Sequence, residues 1–179
     1  MKIASKQDSF NQIKKMRLNR VPEIITDNSN PNEVITFMDK HPASTYVLRD
    51  VRYAIGKTFF ITNKEECLEK IKKYDGLFSL AVSIKSYSGR KLIGDIFVSG
   101  DNVQLTYSTD ENANHRNLEK SLYSNLYDDA LWDIPGFNDL IKYITDKNLL
   151  NVIVEFAVYD HPVGTNKEKV LIVELRTDY

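Results

Sequence analysis

Two glutamates stand in segments that are otherwise almost wholly apolar. Glu155 lies in Val152-Ile153-Val154-Glu155-Phe156, and Glu174 lies in Leu171-Ile172-Val173-Glu174-Leu175. A buried carboxylate without a partner costs on the order of several kcal/mol, so each must meet a cation or a donor. Strand alternation puts Glu155 on the face of Ile153 and Ala157, and Glu174 on the face of Ile172 and Arg176. If the two strands pair, the carboxylates converge on one magnesium ion, which prefers hard oxygen ligands and nucleotide phosphates. The competing arrangements are a pair of Glu174 with Arg176 or a neighbouring lysine, or two carboxylates at a solvated sheet edge. Arg49 poses the same problem with the opposite sign. In YVLRD its guanidinium needs an anion or a buried acid, with Asp50 and Asp95 as candidates. Lys57 follows Gly56 in a turn and offers either a point charge for phosphate or an ordinary solvated lysine.

Other reactive side chains carry weaker signals. Arg90 and Lys91 begin a strand opposite Asp95, and an exposed hairpin charge competes there with a phosphate contact. His115-Arg116 follows a polar loop, where contact with an acidic group or phosphate competes with a surface role. His41 and His161 each precede a proline in loops and lack a partner at the spacing of a metal ligand or general base. Cys67 falls in the apolar stripe of a helix, which points to inert packing. The sequence has no G-x-x-x-x-G-K-[ST] or G-x-G-x-x-G run, which excludes P-loop and Rossmann sites, and no G-x-S-x-G elbow or Cys-His pairing that suggests a nucleophile.

Composition sets the frame for these residues. The 179 residues are 42% hydrophobic and 27% charged, enough for one domain with a buried core. With 24 basic and 25 acidic residues, the whole chain lacks the cationic footprint of a nucleic-acid binder; only Lys14, Lys15, Arg17 and Arg20 suggest a local patch. One cysteine and three histidines exclude an intrachain disulfide and a Cys/His structural zinc site. No stretch is apolar enough to serve as a signal peptide or membrane span, so the expected location is the cytoplasm.

The elements that must position these groups alternate in type. A helix is expected over Ser9–Leu18, an extended stretch over Glu23–Thr26, and a helix from Pro31 with Asn30 as its cap. Strands are expected over Thr45–Val51 and Lys57–Ile61, then a helix opened by a Thr62/Glu65 capping box. Leu77–Lys85 reads as a strand, and Leu92–Ser99 with Val103–Ser108 as a hairpin across Gly100-Asp101-Asn102. Leu118, Leu122, Leu126 and Tyr127 suggest a helix, where packing of Trp132, Tyr123 and Tyr127 competes with an aromatic-lined groove for a partner, and a further helix follows Pro135-Gly136. Strands Asn151–Tyr159 and Lys169–Arg176 close the chain, joined by a loop from Asp160 to Glu168. Antiparallel strand pairs with helices between them define an α+β fold.

This order resembles the ATP-grasp superfamily along roughly residues 10 to 179. The resemblance is carried by MRLNRVPEII, PNEVITFMDK and YVLRD, then IGKTFFITNKEECLEKIKKYDGLFSLAVSIKSY, RKLIGDIFVSGDNVQLTYS and the closing NVIVEFAVYD and VLIVELRTDY. It implies two antiparallel β-sheet lobes with flanking helices in a single domain: a helical N-terminal segment over 9–40, a smaller lobe over about 45–85 and a larger one over about 86–179. It further implies ATP and magnesium as cofactors, with Arg49, Lys57, Ser83, Lys85 and Arg90 at the nucleotide and Glu155 and Glu174 at the metal. The expected function is that of a carboxylate–amine ligase taking a small carboxylate substrate. The alternative is a catalytically inactive binding or regulatory module; a nucleic-acid or host-interaction protein is a third reading. The sequence departs from the family pattern in three places. Arg49 replaces the usual lysine, only Gly56 stands where a glycine-rich lid belongs, and Arg176 stands where an asparagine usually follows the second metal-binding glutamate.

Overall fold

A computed structural model describes residues 2–52 and 57–177. The chain divides into two compact units, one made of Met1–Arg20 and Ser88–Tyr179, the other of Val21–Tyr87. The expected Gly56 turn lies outside the described residues.

The Val21–Tyr87 unit is a four-stranded antiparallel sheet with two helices on one face. Its elements are β1 (Glu23–Thr26), α2 (Pro31–Lys40), β2 (Tyr46–Asp50), β3 (Thr58–Ile61), α3 (Lys64–Tyr74) and β4 (Phe78–Val82), α1 belonging to the other unit. The sheet order is β1-β4-β2-β3. Alternation sends Tyr46, Leu48, Ile61, Phe78, Leu80 and Val82 to the side on which α2 contributes Val34, Phe37 and Met38 and α3 contributes Cys67 and Ile71. Each fully buried aliphatic side chain stabilises this arrangement by about 1.5–3 kcal/mol relative to exposure. The helix starts follow sequence chemistry in part, since Asn30 precedes α2 but makes no side-chain capping hydrogen bond. Pro31 occupies the first turn of α2, and the Asn63 side chain accepts from the Glu66 amide to cap α3. The cap is therefore Asn63 rather than Thr62, whose amide instead donates to the Glu66 carboxylate. Desolvation pushes the Cys67 thiol up to about 12, in keeping with inert packing.

The larger unit is a five-stranded antiparallel sheet in the order β7-β6-β5-β8-β9. Its elements are α1 (Lys6–Lys15), β5 (Arg90–Ser99), β6 (Asn102–Ser108), β7 (Lys120–Asn125), α4 (Asp129–Trp132), α5 (Phe137–Asp146), β8 (Ile153–Val163) and β9 (Glu168–Arg176). Ile13 and Leu18 from the N-terminal segment and Phe137, Leu140, Tyr143 and Ile144 from α5 join Leu92, Ile96, Val154, Phe156, Ile172 and Leu175 in one core. The expected helix over Leu118–Tyr127 is instead the edge strand β7. Alternate residues Leu122 and Ser124 turn inward while Tyr123 stays exposed, and Leu105 of β6 lies opposite Leu122. Pairing with β6 overrides a helix-like spacing of leucines. The loop expected over Asp160–Glu168 is likewise mostly strand, closed by a tight turn at Gly164.

Asn19 anchors that turn from the fully buried interior. Its side-chain amide donates to the carbonyls of Val163 (3.0 Å), Glu168 (3.2 Å) and Val170 (2.8 Å), and its Oδ1 accepts from the Asn166 amide at 2.9 Å. Gly164 adopts φ +78°, and a Cβ there would sit 2.5 Å from Asn19 Oδ1, so the turn requires glycine. Among the described residues, no helix is long and apolar enough to cross a membrane.

Candidate functional site

The core-averted face of the five-stranded sheet carries a row of acids. Glu155 of β8 pairs in register with Asp95 of β5 on one side and Glu174 of β9 on the other. All three therefore project from the same face, across three adjacent strands. On one flank, Ile93, Ala157 and Leu171 are also in register and fully buried. Glu174 shares the face of Glu155 but not that of Ile172, contrary to simple alternation. A β-bulge lies between the Glu155–Glu174 and Phe156–Ile172 pairs, inserting Val173 and turning Ile172 into the core.

Two further groups reach the row. The Arg176 guanidinium stands 3.3 Å from Glu155 Oε1 and 3.4 Å from Asp95 Oδ2. His115 arrives from the loop between β6 and β7, its Nε2 3.3 Å from the Phe156 carbonyl oxygen. One carboxylate oxygen each from Asp95 and Glu155 and one His115 nitrogen lie within 4.8 Å of one another. Asp95 Oδ1 is buried and has no hydrogen-bond partner among the described residues.

The electrostatics follow from burying several acids beside one guanidinium. Desolvation first, then repulsion from Glu174 and Asp95, push Glu155 up to about 7, with Arg176 and Lys6 pulling the other way. Burial also raises Asp95, against the pull of His115 and Arg176. His115 is lowered by burial, opposed by Asp95 and by the Phe156 and Gly94 carbonyls. The row thus holds surplus negative charge in a half-buried setting, and a divalent cation would relieve it.

The remaining residues singled out in the sequence are distributed as follows. Arg90 donates to three backbone carbonyls, of Asp110 (3.3 Å), Glu111 (2.7 Å) and Ala113 (2.6 Å). Its guanidinium thereby pins the loop that carries His115. Arg49 is half-buried on the face of the four-stranded sheet opposite its helices, in register with Thr58 and Ser79. Lys85 approaches the exposed Phe60 ring, with its ammonium 5.5 Å from the centroid. Buried Ser83 caps a short 3₁₀ turn by accepting from the Lys85 amide at 3.2 Å. Lys57 sits 3.9 Å over the Tyr74 ring, on the helix side of its strand and so on the face opposite Arg49. Asp95, His115 and Arg176 are the members of the cluster not assigned to a metal site from sequence. For Arg176, the one available signal was its place two residues after Glu174.

No protein-family model matches the sequence, and no curated protein matches it. Solved structures do match. N5-carboxyaminoimidazole synthetase from Staphylococcus aureus complexed with ADP superposes with a TM-score of 0.58 at 10% identity, covering 98% of this chain and 44% of that one. Macrocyclase MdnC from Microcystis aeruginosa MRC, bound with precursor peptide MdnA, gives 0.54 at 15% identity over 97% and 53% of the two chains. D-alanyl-alanine synthetase A from Vibrio cholerae gives 0.54 at 9% identity over 97% and 54%. The chain has an ATP-grasp-like fold, as the order of its elements implied. The likeness is one of fold, and the chain spans about half the length of the structures it matches.

Proposed function

We propose that this protein binds ATP together with magnesium and serves as a ligase of the carboxylate–amine kind. The observation that carries the reading is the in-register row of Asp95, Glu155 and Glu174, with Asp95 Oδ1 buried and unpartnered among the described residues. Hard oxygen donors in surplus negative charge suit a hard divalent cation, so the residues fit the ion. Glu155 and Glu174 would hold it, and when bound it would neutralise charge on nucleotide phosphates. In the four-stranded unit taken by itself, the groups proposed to offer charge to phosphate oxygens are the Arg49 guanidinium and the Lys85 ammonium beside Phe60. Ser83 shapes the turn that presents Lys85.

Calorimetric titration with ATP in the presence and absence of magnesium tests this. Substitution Glu174→Gln should weaken magnesium-dependent ATP binding at least tenfold, and an unchanged affinity would sink the metal assignment.

A second reading has its own observation. The Arg176 guanidinium already lies among the acids, 3.3 Å from Glu155, and an internal cation there favours a binding module that no longer turns over. Incubation with labelled ATP and mixed amino acids separates the two. Amino-acid-dependent phosphate release supports the ligase, and tight ATP binding without release supports the module.

A further inference from the structure

We infer that Asp95, His115 and Glu155 form a site for a divalent transition-metal ion, zinc or manganese, that can fill without nucleotide. Three elements contribute one donor each: β5, the loop after β6, and β8. The donor atoms lie within 4.8 Å of one another, close enough for side-chain rotation to bring them onto one ion. The set is two carboxylates and one imidazole. Magnesium and calcium favour oxygen alone, whereas an imidazole nitrogen adds affinity for zinc and its neighbours.

The surroundings of His115 are those of a held ligand. A carbonyl accepts only from an N–H, so the 3.3 Å contact with the Phe156 oxygen makes Nε2 a donor, the Gly94 carbonyl is a second acceptor beside the ring, and Nδ1 is the nitrogen that a neutral ring would offer to an ion. Metal-bound imidazoles commonly donate their second nitrogen to a backbone carbonyl in this way. The loop itself is fixed by the three hydrogen bonds from Arg90 to the Asp110, Glu111 and Ala113 carbonyls. Asn114 and Asn117 add a local brace: the Asn114 amide donates to Asn117 Oδ1 at 2.6 Å, and the Arg116 amide to Asn114 Oδ1 at 2.8 Å. Asp95 brings a second, independent indication, a buried Oδ1 with no hydrogen-bond partner among the described residues. Arg176 approaches one oxygen of each carboxylate, Asp95 Oδ2 and Glu155 Oε1, and Asp95 Oδ1 is the oxygen without a hydrogen-bond partner among the described residues.

The site shares Glu155 with the magnesium row proposed above, but its claim concerns the metal alone. The test is calorimetric titration of the chelator-treated full chain with Zn²⁺, Mn²⁺ and Mg²⁺ salts in the absence of nucleotide. Zn²⁺ or Mn²⁺ should bind at one equivalent, at least tenfold more tightly than Mg²⁺. His115→Ala should lower that affinity at least tenfold with an unchanged circular dichroism spectrum, and His115→Gln serves if the alanine variant fails to fold. His161→Ala, which removes the exposed His161–Asp160 pair, should leave it unchanged. Equal affinity for Zn²⁺, Mn²⁺ and Mg²⁺, or Zn²⁺ binding that survives His115→Ala, overturns the inference. ATP titrations of the same variants keep the two proposals apart. Retained magnesium-dependent ATP binding in His115→Ala leaves the nucleotide reading standing, whichever way the zinc result falls.

Discussion

Glu155 shows how a buried acid stores instability. Its carboxyl group holds a proton up to about pH 7 in the folded chain, well above the ordinary carboxylate range of an unfolded one. A group that binds its proton more tightly when folded supports the fold below the ordinary range. That support is lost as pH rises through about 7. The metal-free protein should therefore melt at a lower temperature at pH 8 than at pH 5. Glu155→Gln should remove most of that slope and stabilise the metal-free chain at pH 8 by about 2–3 kcal/mol, because each tenfold change in proton affinity is worth about 1.4 kcal/mol. Thermal melts of both proteins in chelator across this range check it, and parallel curves would refute it. The strain at Glu155 was legible in the sequence, because a lone acid inside Val-Ile-Val and Phe-Ala-Val has no local partner. Its neighbours were not. Asp95 and Arg176 are separated by eighty-one positions, and no local period encodes such a contact.

Among the elements, the closing hairpin depends on Asn19 as well as on its own turn. Three carbonyls from β8 and β9 converge on one buried amide, and the backbone amide of Asn19 donates to the Tyr143 hydroxyl at 2.7 Å. Asn19→Ala removes the one side-chain donor those carbonyls share, which should cost about 2–4 kcal/mol in denaturant unfolding. A loss under about 1 kcal/mol would mean water replaces the amide. This anchor was invisible in the sequence, where Asn19 reads as one more polar residue in LNRVP. The bulge at Val173 was invisible for a related reason. Alternation is a local rule, and a bulge is decided by what the partner strand offers. The strand β7 repeats the lesson, since its leucine spacing suited a helix until β6 supplied a sheet edge.

At the scale of the whole molecule, each of the two compact units has a separate apolar core, and their energetics should be separable. Leu48 is fully buried in the four-stranded unit, and Leu48→Ala should destabilise that unit by about 2–5 kcal/mol. Hydrogen exchange should then show faster amides over 21–87 while those of β5, β8 and β9 hold their protection. Uniform loss across both would show that they unfold as one. The sequence alone determined the α+β class, most strand and helix positions, the inert setting of Cys67 and the two acids that needed a partner. It could do so because burial period, caps and turns are properties of neighbouring residues. The tertiary structure alone decided that Asp95, His115 and Arg176 complete the acidic row, that Arg90 holds a loop, and that Lys57 and Arg49 lie on opposite faces. Those outcomes depend on strand register and on which distant segments meet, and chain-local preferences specify neither.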